Sequence, residues 1–137
     1  MTITQDAPLQ LWLPPQLESG PVVRAVVREA LLTMRAAREE MADLLLAACE
    51  AFNNAVAHGS MTQDDQLWLE IETLEDELVL TLQYRGEPFP LVPPTLPEAA
   101  SPHGRGRYLM ERFTDRVTYE FHDHWTRTEL RKRIRGG

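Results

Sequence analysis

The sequence has almost no cysteine, no long apolar run and no signal-peptide pattern in its first ten residues. Its single cysteine, Cys49, excludes a disulfide within the chain. No apolar stretch comes near the roughly 18 residues that a transmembrane helix needs. The first ten residues, MTITQDAPLQ, lack the basic start and apolar core of a signal peptide. Together these absences indicate a cytoplasmic protein with no membrane contact.

Basic residues are scarce in most of the chain. Residues 1–100 contain 5 basic and 16 acidic side chains, whereas residues 101–137 contain 9 basic and 5 acidic ones. An acidic body argues against general nucleic-acid binding. The basic strip ELRKRIRGG near the C-terminus could meet phosphates, an acidic partner or the chain's own acidic body, or it could be a solvated strand end and tail.

The apolar periodicity predicts the order of helices and strands in a single domain. Residues 8–13 predict a strand, which is followed by a helix with Ser19 as its N-cap and by a second helix from about Arg38 to His58. Alternating leucines over residues 67–82 predict a hairpin that turns at LEDE. A short helix is expected at GRGRYLMERFTD, and two closing strands are expected on either side of HDH. Trp12 and Trp68 fall on strands, where sheet packing explains them.

This order predicts an α+β fold with two layers. The helices are expected to cover one face of a mixed, mostly antiparallel sheet. Residues 85–103 contain six prolines, so this segment is expected to be a long irregular loop. Loops of this length in a compact domain often form lids over a site.

The second predicted helix carries polar residues in an otherwise apolar stretch. The polar residues recur at every fourth position, as Glu50, Asn54 and His58. This spacing places them within an arc of about 80° on one side of the helix. A solvated face would explain them, but residues 41–63 contain no lysine or arginine. A helix that is apolar nearly all round is covered on more than one side, and its polar groups need partners or a ligand. A carboxylate beside an amide suits a magnesium–phosphate site.

Two glycines open the next predicted helix, in HGRGRYLM at residues 103–110. Backbone N–H groups at a helix N-terminus attract phosphate, and glycine lets the backbone approach closely. By itself such a Gly-x-Gly pair is more often a simple turn.

The two motifs, in this order, resemble those of a known superfamily. EAFNNAVAHG, residues 50–59, resembles the N box of the GHKL (histidine-kinase-like) ATPases, YRGEPF their first glycine box and GRGRYLM their second. The short length and the final strand WTRTELRKRI are most similar to the bacterial anti-sigma-factor serine/threonine kinases. The similarity spans residues 8 to 134. It implies one Bergerat-type domain over residues 1–137, with the lid at about 85–103.

The resemblance implies an activity and roles for the N-box residues. Glu50 would be the general base, Asn54 the Mg²⁺ ligand and His58 a structural or phosphate-side residue, with Asn53 a bystander. ATP and Mg²⁺ would be bound, and the γ-phosphate would pass to a serine or threonine of an antagonist protein. The antagonist would compete with a sigma factor for this protein. Family members commonly form homodimers.

The glycine boxes would complete the pocket. Gly86 would shape its floor, and Gly104, Arg105 and Gly106 would hold the phosphates under the lid. The first box departs from the family at one position. Two residues before its glycine the family has an aspartate that accepts the adenine amino group, and here that residue is Tyr84.

A tyrosine hydroxyl accepts a hydrogen bond, but the ring is bulky and would fill adenine space. The loss of one buried polar contact costs about 1–3 kcal/mol, or roughly 10–100-fold in affinity. Gln83 is a poor substitute, because strand alternation directs it to the other face.

Two functions from different classes therefore follow from the sequence. The first is an anti-sigma-type kinase that also binds its target. The second is a non-catalytic protein-binding switch on the same fold, with weak or no nucleotide binding because of Tyr84. A ligand other than ATP is a third possibility. A zinc site from Cys49 and the histidines lacks zinc-finger spacing, and Cys49 is better read as a small core residue.

Overall fold

The computed structural model describes residues 7–59, 62, 64–86 and 105–136. Strand β1 (Leu9–Leu13) leads to helices α1 (Gly20–Thr33) and α2 (Arg38–His58), followed by strands β2 (Leu67–Leu74) and β3 (Glu77–Arg85), helix α3 (Arg105–Phe113), and strands β4 (Arg116–His122) and β5 (Trp125–Arg133). This is the predicted order. A short 3-10 turn at Leu17–Ser19 is added before α1. Most of the expected lid lies outside the described residues.

The ends of the elements follow local backbone chemistry. The Ser19 hydroxyl makes no capping bond to α1 and instead donates to the carbonyl of Pro14 at 2.9 Å. Helix α2 ends at the predicted residue, where the N–H of Gly59 donates to the carbonyl of Ala55 at 2.9 Å. The HDH segment turns β4 into β5, with positive φ angles of 41° at Asp123 and 73° at His124.

The five strands form one sheet in the order β1-β2-β3-β5-β4. Every pairing among them is antiparallel, so the mixed sheet expected from the sequence is antiparallel throughout its described strands. Strand β3 lies at the centre and pairs with β2 on one side and with β5 on the other. The α+β two-layer sandwich is therefore confirmed.

Strand alternation gives the sheet two different faces. The inner face packs against the helices, and its residues are almost fully buried: Leu67, Leu69, Leu78, Leu80, Leu82 and Leu130. The other face is called the outer face below. It carries charged residues and the three tryptophans, and the described helices all lie on the inner side. Val79 of β3 is on the outer face and does not belong to the core cluster.

Helix α2 is the centre of the helical layer. It contacts α1, α3, β3 and β5, so the expectation that it is covered on more than one side is confirmed. Its buried face consists of small residues together with Leu44 and Phe52. Ala47, which the periodicity places near the polar side, is fully buried, whereas Leu46 is 39% exposed. None of the described helices is long and apolar enough to cross a membrane.

Part of the basic C-terminal strip pairs with acidic residues of the chain itself. Arg131 donates to Glu129 at 2.7 Å and to Glu77 at 2.9 Å. Arg133 lies 3.4 Å from Asp76. Of the roles considered for this strip, contact with the protein's own acidic body is therefore realised for these two residues.

Glu40 connects the start of α2 to the C-terminal segment. Its carboxylate accepts backbone hydrogen bonds from Ala37 at 2.8 Å, Arg135 at 2.6 Å and Gly136 at 3.0 Å. Desolvation by burial raises the pKa of Glu40. The three backbone N–H groups and the charge of Lys132 lower it by more, so the net pKa of Glu40 is below its usual value. The carboxylate thus closes the first turn of α2 and holds the end of the chain against it.

We predict that Glu40→Ala destabilises the fold by about 1 kcal/mol near pH 7, the usual cost of losing a helix cap. A carboxyl whose pKa is lowered in the folded state stabilises the fold above its unfolded pKa. This contribution is lost as the pH falls through the folded pKa. Urea unfolding of wild type and variant at pH 7 and in acid would therefore show a difference that shrinks in acid. Glu39→Ala, at the exposed neighbouring position, is the matched control. Equal stability of the two variants would contradict the prediction.

Candidate functional site

The predicted polar row lies on α2. Glu50, Asn54 and His58 follow one another at successive turns of a continuous helix, so their side chains share one side of it. Glu50 and Asn54 are half-buried, whereas His58 and Asn53 are exposed. The burial of Glu50 and Asn54 distinguishes them from a freely solvated face, and the exposure of Asn53 fits its reading as a bystander.

The Glu50 carboxylate and the Asn54 amide have no hydrogen-bond or ion-pair partner among the residues that the structure describes. The carboxylate of Asp65, in contrast, has protein partners. Asp65 accepts from the backbone and hydroxyl of Thr62, at 2.8 and 3.2 Å, and lies 3.6 Å from Arg85. Half-buried oxygen atoms without a protein partner are available to a ligand, and hard oxygen donors suit Mg²⁺.

Gly86 lies directly against the end of α2. A Cβ atom at this position would come within 3.3 Å of the His58 carbonyl oxygen and 3.4 Å of the Gly59 Cα. The Gly86 N–H donates to the carbonyl of His124 at 2.7 Å, and the Thr126 hydroxyl donates to the carbonyl of Gly86 at 3.4 Å. Glycine is needed here because of this close approach, which joins the first glycine box to the N box.

Tyr84 is part of the hydrophobic core. It is 1% exposed, and its ring lies 3.4 Å from where a Cβ at Gly86 would be. Desolvation by burial raises the pKa of the Tyr84 hydroxyl, and a hydrogen bond with the Thr128 side chain lowers it in part. The residue at the position of the family's adenine-binding aspartate is therefore buried and already hydrogen-bonded within the protein. Gln83 lies on the outer face, as alternation predicts.

A half-buried tyrosine, Tyr119, lies next to this position. Burial raises the pKa of Tyr119 to about 12, and the nearby Arg107 guanidinium opposes this increase. Arg107 lies over the Tyr119 ring, 5.7 Å from its centroid. This contact links the first turn of α3 to β4 on the inner side of the sheet.

The second glycine box is only partly within the described residues. Arg105 and Gly106 are the first two residues of α3, and Gly104 lies outside the described residues. Helix α3 packs against α2. The sheet and the packed helices thus bring the element that carries Arg105 and Gly106 beside the helix that carries Glu50 and Asn54.

These residues fit the two halves of a magnesium–nucleotide ligand unequally. The phosphate and metal half has open oxygen donors at Glu50 and Asn54. The base half has no carboxylate at this position, which is occupied by the buried Tyr84 ring with its hydroxyl directed to the Thr128 side chain. Within the described part of the chain, no group of three or more histidine, cysteine or acidic side chains is placed to hold a metal ion by itself.

Three residues near the site were not predicted from the sequence. Thr126 and Thr128 are 0% and 3% exposed and contact Gly86 and Tyr84, and His124 accepts from Gly86 through its backbone. The sequence did contain a pattern that could have identified the two threonines. In TRTEL, residues 126–130, every second residue points to the same face of the strand, so Thr126 and Thr128 lie on the core face together with Leu130. Cys49 is half-buried, with Arg24 Nη2 at 3.8 Å from its sulfur, so it is less deeply buried than a core residue.

Two solved structures with this fold, both from bacteria, illustrate the similarity. The chain superposes on the crystal structure of the RsbU and RsbW domains of Rv1364c from Mycobacterium tuberculosis with a TM-score of 0.72 and 21% sequence identity, covering 94% of this chain and 33% of that one. It superposes on the SiaB–SiaC complex from Pseudomonas aeruginosa with a TM-score of 0.66 and 15% identity, covering 92% of this chain and 88% of that one. The chain thus spans about a third of the Rv1364c chain. No curated protein matches the sequence.

The sequence profile of the histidine kinase-like ATPase domain matches residues 13–132. The matched region contains the polar row of α2, the turn at Gly86 and the start of α3. It extends over most of the chain and confirms the resemblance to the GHKL ATPases that these motifs indicated. The chain belongs to the histidine kinase-like ATPase domain family.

Proposed function

We propose that this chain is an anti-sigma-type regulatory protein that binds ATP and Mg²⁺ and phosphorylates a serine or threonine of an antagonist protein. The proposal depends on one observation: Glu50 and Asn54 are adjacent, half-buried and without partners among the described residues. One structural neighbour is a complex of two proteins, and the other joins an RsbW domain to an RsbU domain. The complex supports a role exerted through contact with another protein.

Each site residue has a defined task in this proposal. Asn54 Oδ1 would be a ligand of Mg²⁺, which when bound offsets the negative charge of the phosphates. The Glu50 carboxylate would accept the proton of the substrate hydroxyl as its oxygen forms a bond to the γ-phosphorus. The bond from that phosphorus to the bridging oxygen breaks, and ADP leaves. The backbone N–H groups of Arg105 and Gly106, with Gly104, would hold phosphate oxygens, while His58 and Gly86 line the pocket.

The protein partners follow from the same proposal. The unphosphorylated antagonist would compete with a sigma factor for this chain, which would act as a cytoplasmic homodimer. Direct binding to nucleic acid is not part of the proposal, because 16 acidic side chains against 5 basic ones over residues 1–100 oppose it.

A second function is favoured by Tyr84. Its ring is fully buried at the position where the family has a carboxylate for the adenine amino group, and its hydroxyl is bonded to Thr128. A chain that binds nucleotide very weakly would act as a switch through protein contacts alone. The two functions differ in one measurable property, which is the affinity for Mg-ATP.

We predict that calorimetry detects weak Mg-ATP binding to the wild type and a gain of about 10–100-fold in Tyr84→Asp, the value of one buried polar contact. Tyr84→Phe should bind like the wild type, because the hydroxyl that it removes is already engaged by Thr128. Thermal unfolding of each variant reports whether it folds. Since a carboxylate at a buried position is costly, Tyr84→Asn provides an uncharged alternative.

Undetectable binding of Mg-ATP and Mg-ADP to the wild type at millimolar nucleotide would overturn the kinase proposal. The protein-binding switch would then be the remaining candidate function. Equal affinities of wild type and a folded Tyr84→Asp or Tyr84→Asn variant would show that Tyr84 does not limit base binding.

We predict that Glu50→Gln lowers phosphate transfer by about 10²–10⁴-fold, the usual contribution of a general base, and leaves Mg-ATP affinity nearly unchanged. Release of phosphate from γ-labelled ATP to water gives the rate without an identified acceptor protein. Asn53→Ala, at an exposed position on the same helix, is the control and should keep the wild-type rate. If Glu50→Gln lost affinity and rate together, Glu50 would be a structural residue and not the base.

A further inference from the structure

The inner face of β1 becomes less covered toward the start of the strand. Leu13, Leu11 and Leu9 project to this face, because every second residue of a strand points the same way. Leu13 is 7% exposed, Leu11 is half-buried and Leu9 is 41% exposed. Ile71, which pairs with Leu9 on β2, is 4% exposed. The helical layer therefore recedes from the sheet at this edge and leaves an inner-face leucine uncovered.

The opening between α1 and the first two strands is a cleft of about 330 Å³. Its apolar walls are Val26 and Ala30 of α1 and Leu9 and Ile71 of the strands. Val26 and Ala30 are half-buried, whereas the main apolar row of α1 is fully buried: Val23, Val27 and Leu31. The volume is at the lower end of the range of small-molecule sites, roughly 300–1,000 Å³. The cleft is therefore large enough for a small ligand.

Three side chains place oxygen atoms at the rim of this cleft. Glu29 and Thr33 are one turn apart on α1, and Thr73 is across from them on β2. Glu29 is the only charged side chain among the residues that line the cleft. The Thr33 hydroxyl donates its hydrogen to the backbone carbonyl of Glu29 at 3.0 Å, so its lone pairs remain to accept. Within the described part of the chain, the Glu29 carboxylate and the Thr73 hydroxyl have no hydrogen-bond partner.

Thr73 is an exception in the pattern of β2. It lies on the inner face, opposite the fully buried Leu78 of β3. The other inner-face residues of β2 are all apolar and nearly fully buried: Leu67, Leu69 and Ile71. The alternation of the strand thus places a hydroxyl group where the core ends and the cleft opens.

The chemistry of the cleft matches an organic ammonium ion. An ammonium group has three N–H donors and no acceptor, and the rim offers three acceptor groups. A bond from an ammonium to the Glu29 carboxylate is charge-assisted and therefore stronger than a neutral one. An apolar body on Leu9 and Ile71 gains by leaving water. An anion is disfavoured by Glu29 and by the excess of 16 acidic over 5 basic side chains in residues 1–100.

We propose that this cleft is a second ligand site, which binds a small organic ammonium ion with its alkyl body on Leu9 and Ile71 and its nitrogen at Glu29. The inference goes beyond the proposed function, because the lining residues belong to neither α2 nor the glycine boxes. Leu80 pairs with Ile71, and Gly86 is about 20 Å further along the chain at the end of β3. The two sites can therefore be tested separately.

The first test is an NMR titration of the full chain, labelled at its isoleucine methyl groups, with hexylammonium. The Ile71 methyl signal should shift and saturate at millimolar ligand or below. Ile134, which is 5% exposed and does not line the cleft, is the internal control and should move far less. The neutral analogue 1-hexanol should bind about 5–10-fold more weakly, because it lacks the charge-assisted bond, and hexanoate should not bind.

The second test assigns the two halves of the ligand to their residues. Glu29→Gln should lower the affinity for hexylammonium about 5–10-fold and leave that for 1-hexanol unchanged. Ala30→Leu fills the cleft from α1 and should abolish the binding of both. Glu39→Gln, at an exposed position on α2, is the matched control and should keep the wild-type affinities. Thermal unfolding reports whether each variant is folded.

Three results would overturn the proposal. The first is an Ile71 signal that hexylammonium does not shift, or equal affinities for hexylammonium and 1-hexanol in the wild type. The second is a nuclear Overhauser contact between Ile3 and Ile71 in the ligand-free protein, because the start of the chain would then occupy the cleft itself. The third is an Ile71 signal that moves with protein concentration in the absence of ligand, because a second copy of the chain would then be the occupant.

Discussion

The close packing of α2 on the inner face of the sheet is the contact on which the rest of the structure depends. Its buried side is made mainly of alanines, which allow the helix backbone to lie near the leucines of β3. Each fully buried leucine contributes about 1.5–3 kcal/mol relative to an exposed one, so this layer supplies much of the stability. Because the helix is held on this side, its polar row is held at the boundary of the core, where half-burial is possible.

This packing also determines what the end of α2 can touch. Gly86 lies so near His58 and Gly59 that a Cβ would crowd both. The first glycine box is thereby fixed against the N box, and the backbone of the β4–β5 turn is bonded to it through His124. The parts of the pocket that are far apart in sequence are therefore joined by backbone contacts, which depend little on the identity of the side chains.

Tyr84 shows a conflict between stability and ligand binding. A buried aromatic ring with its hydroxyl satisfied strengthens the core, whereas a carboxylate at the same place would be costly without a ligand to bind. The half-buried oxygen atoms of Glu50 and Asn54 are open, whereas the position of Tyr84 belongs to the filled core. In the proposed site, the metal half and the base half would therefore change separately.

The two faces of the sheet carry different side chains. The inner face supports the core and the helices with the candidate site, and the outer face carries charged residues and the three tryptophans. A side chain on a strand belongs to one face only, so changes at Trp12 and at Glu50 act on different surfaces.

The amino-acid sequence by itself determined the local features of this protein. Periodicity gave the bounds of α2 and the strand order along the chain, and the spacing of Glu50, Asn54 and His58 placed them on one side of a helix. These features depend on neighbours within a few residues, which is why they can be read directly.

Only the tertiary structure decided which distant residues meet. The contact between Tyr84 and Thr128 depends on strand register, and the crowding of Gly86 depends on how α2 packs on the sheet. Register is set by the packing of whole strands against the core, and one residue of slip would reverse every face. The sequence therefore identified the residues of the candidate site, and the fold determined which of them are open to a ligand.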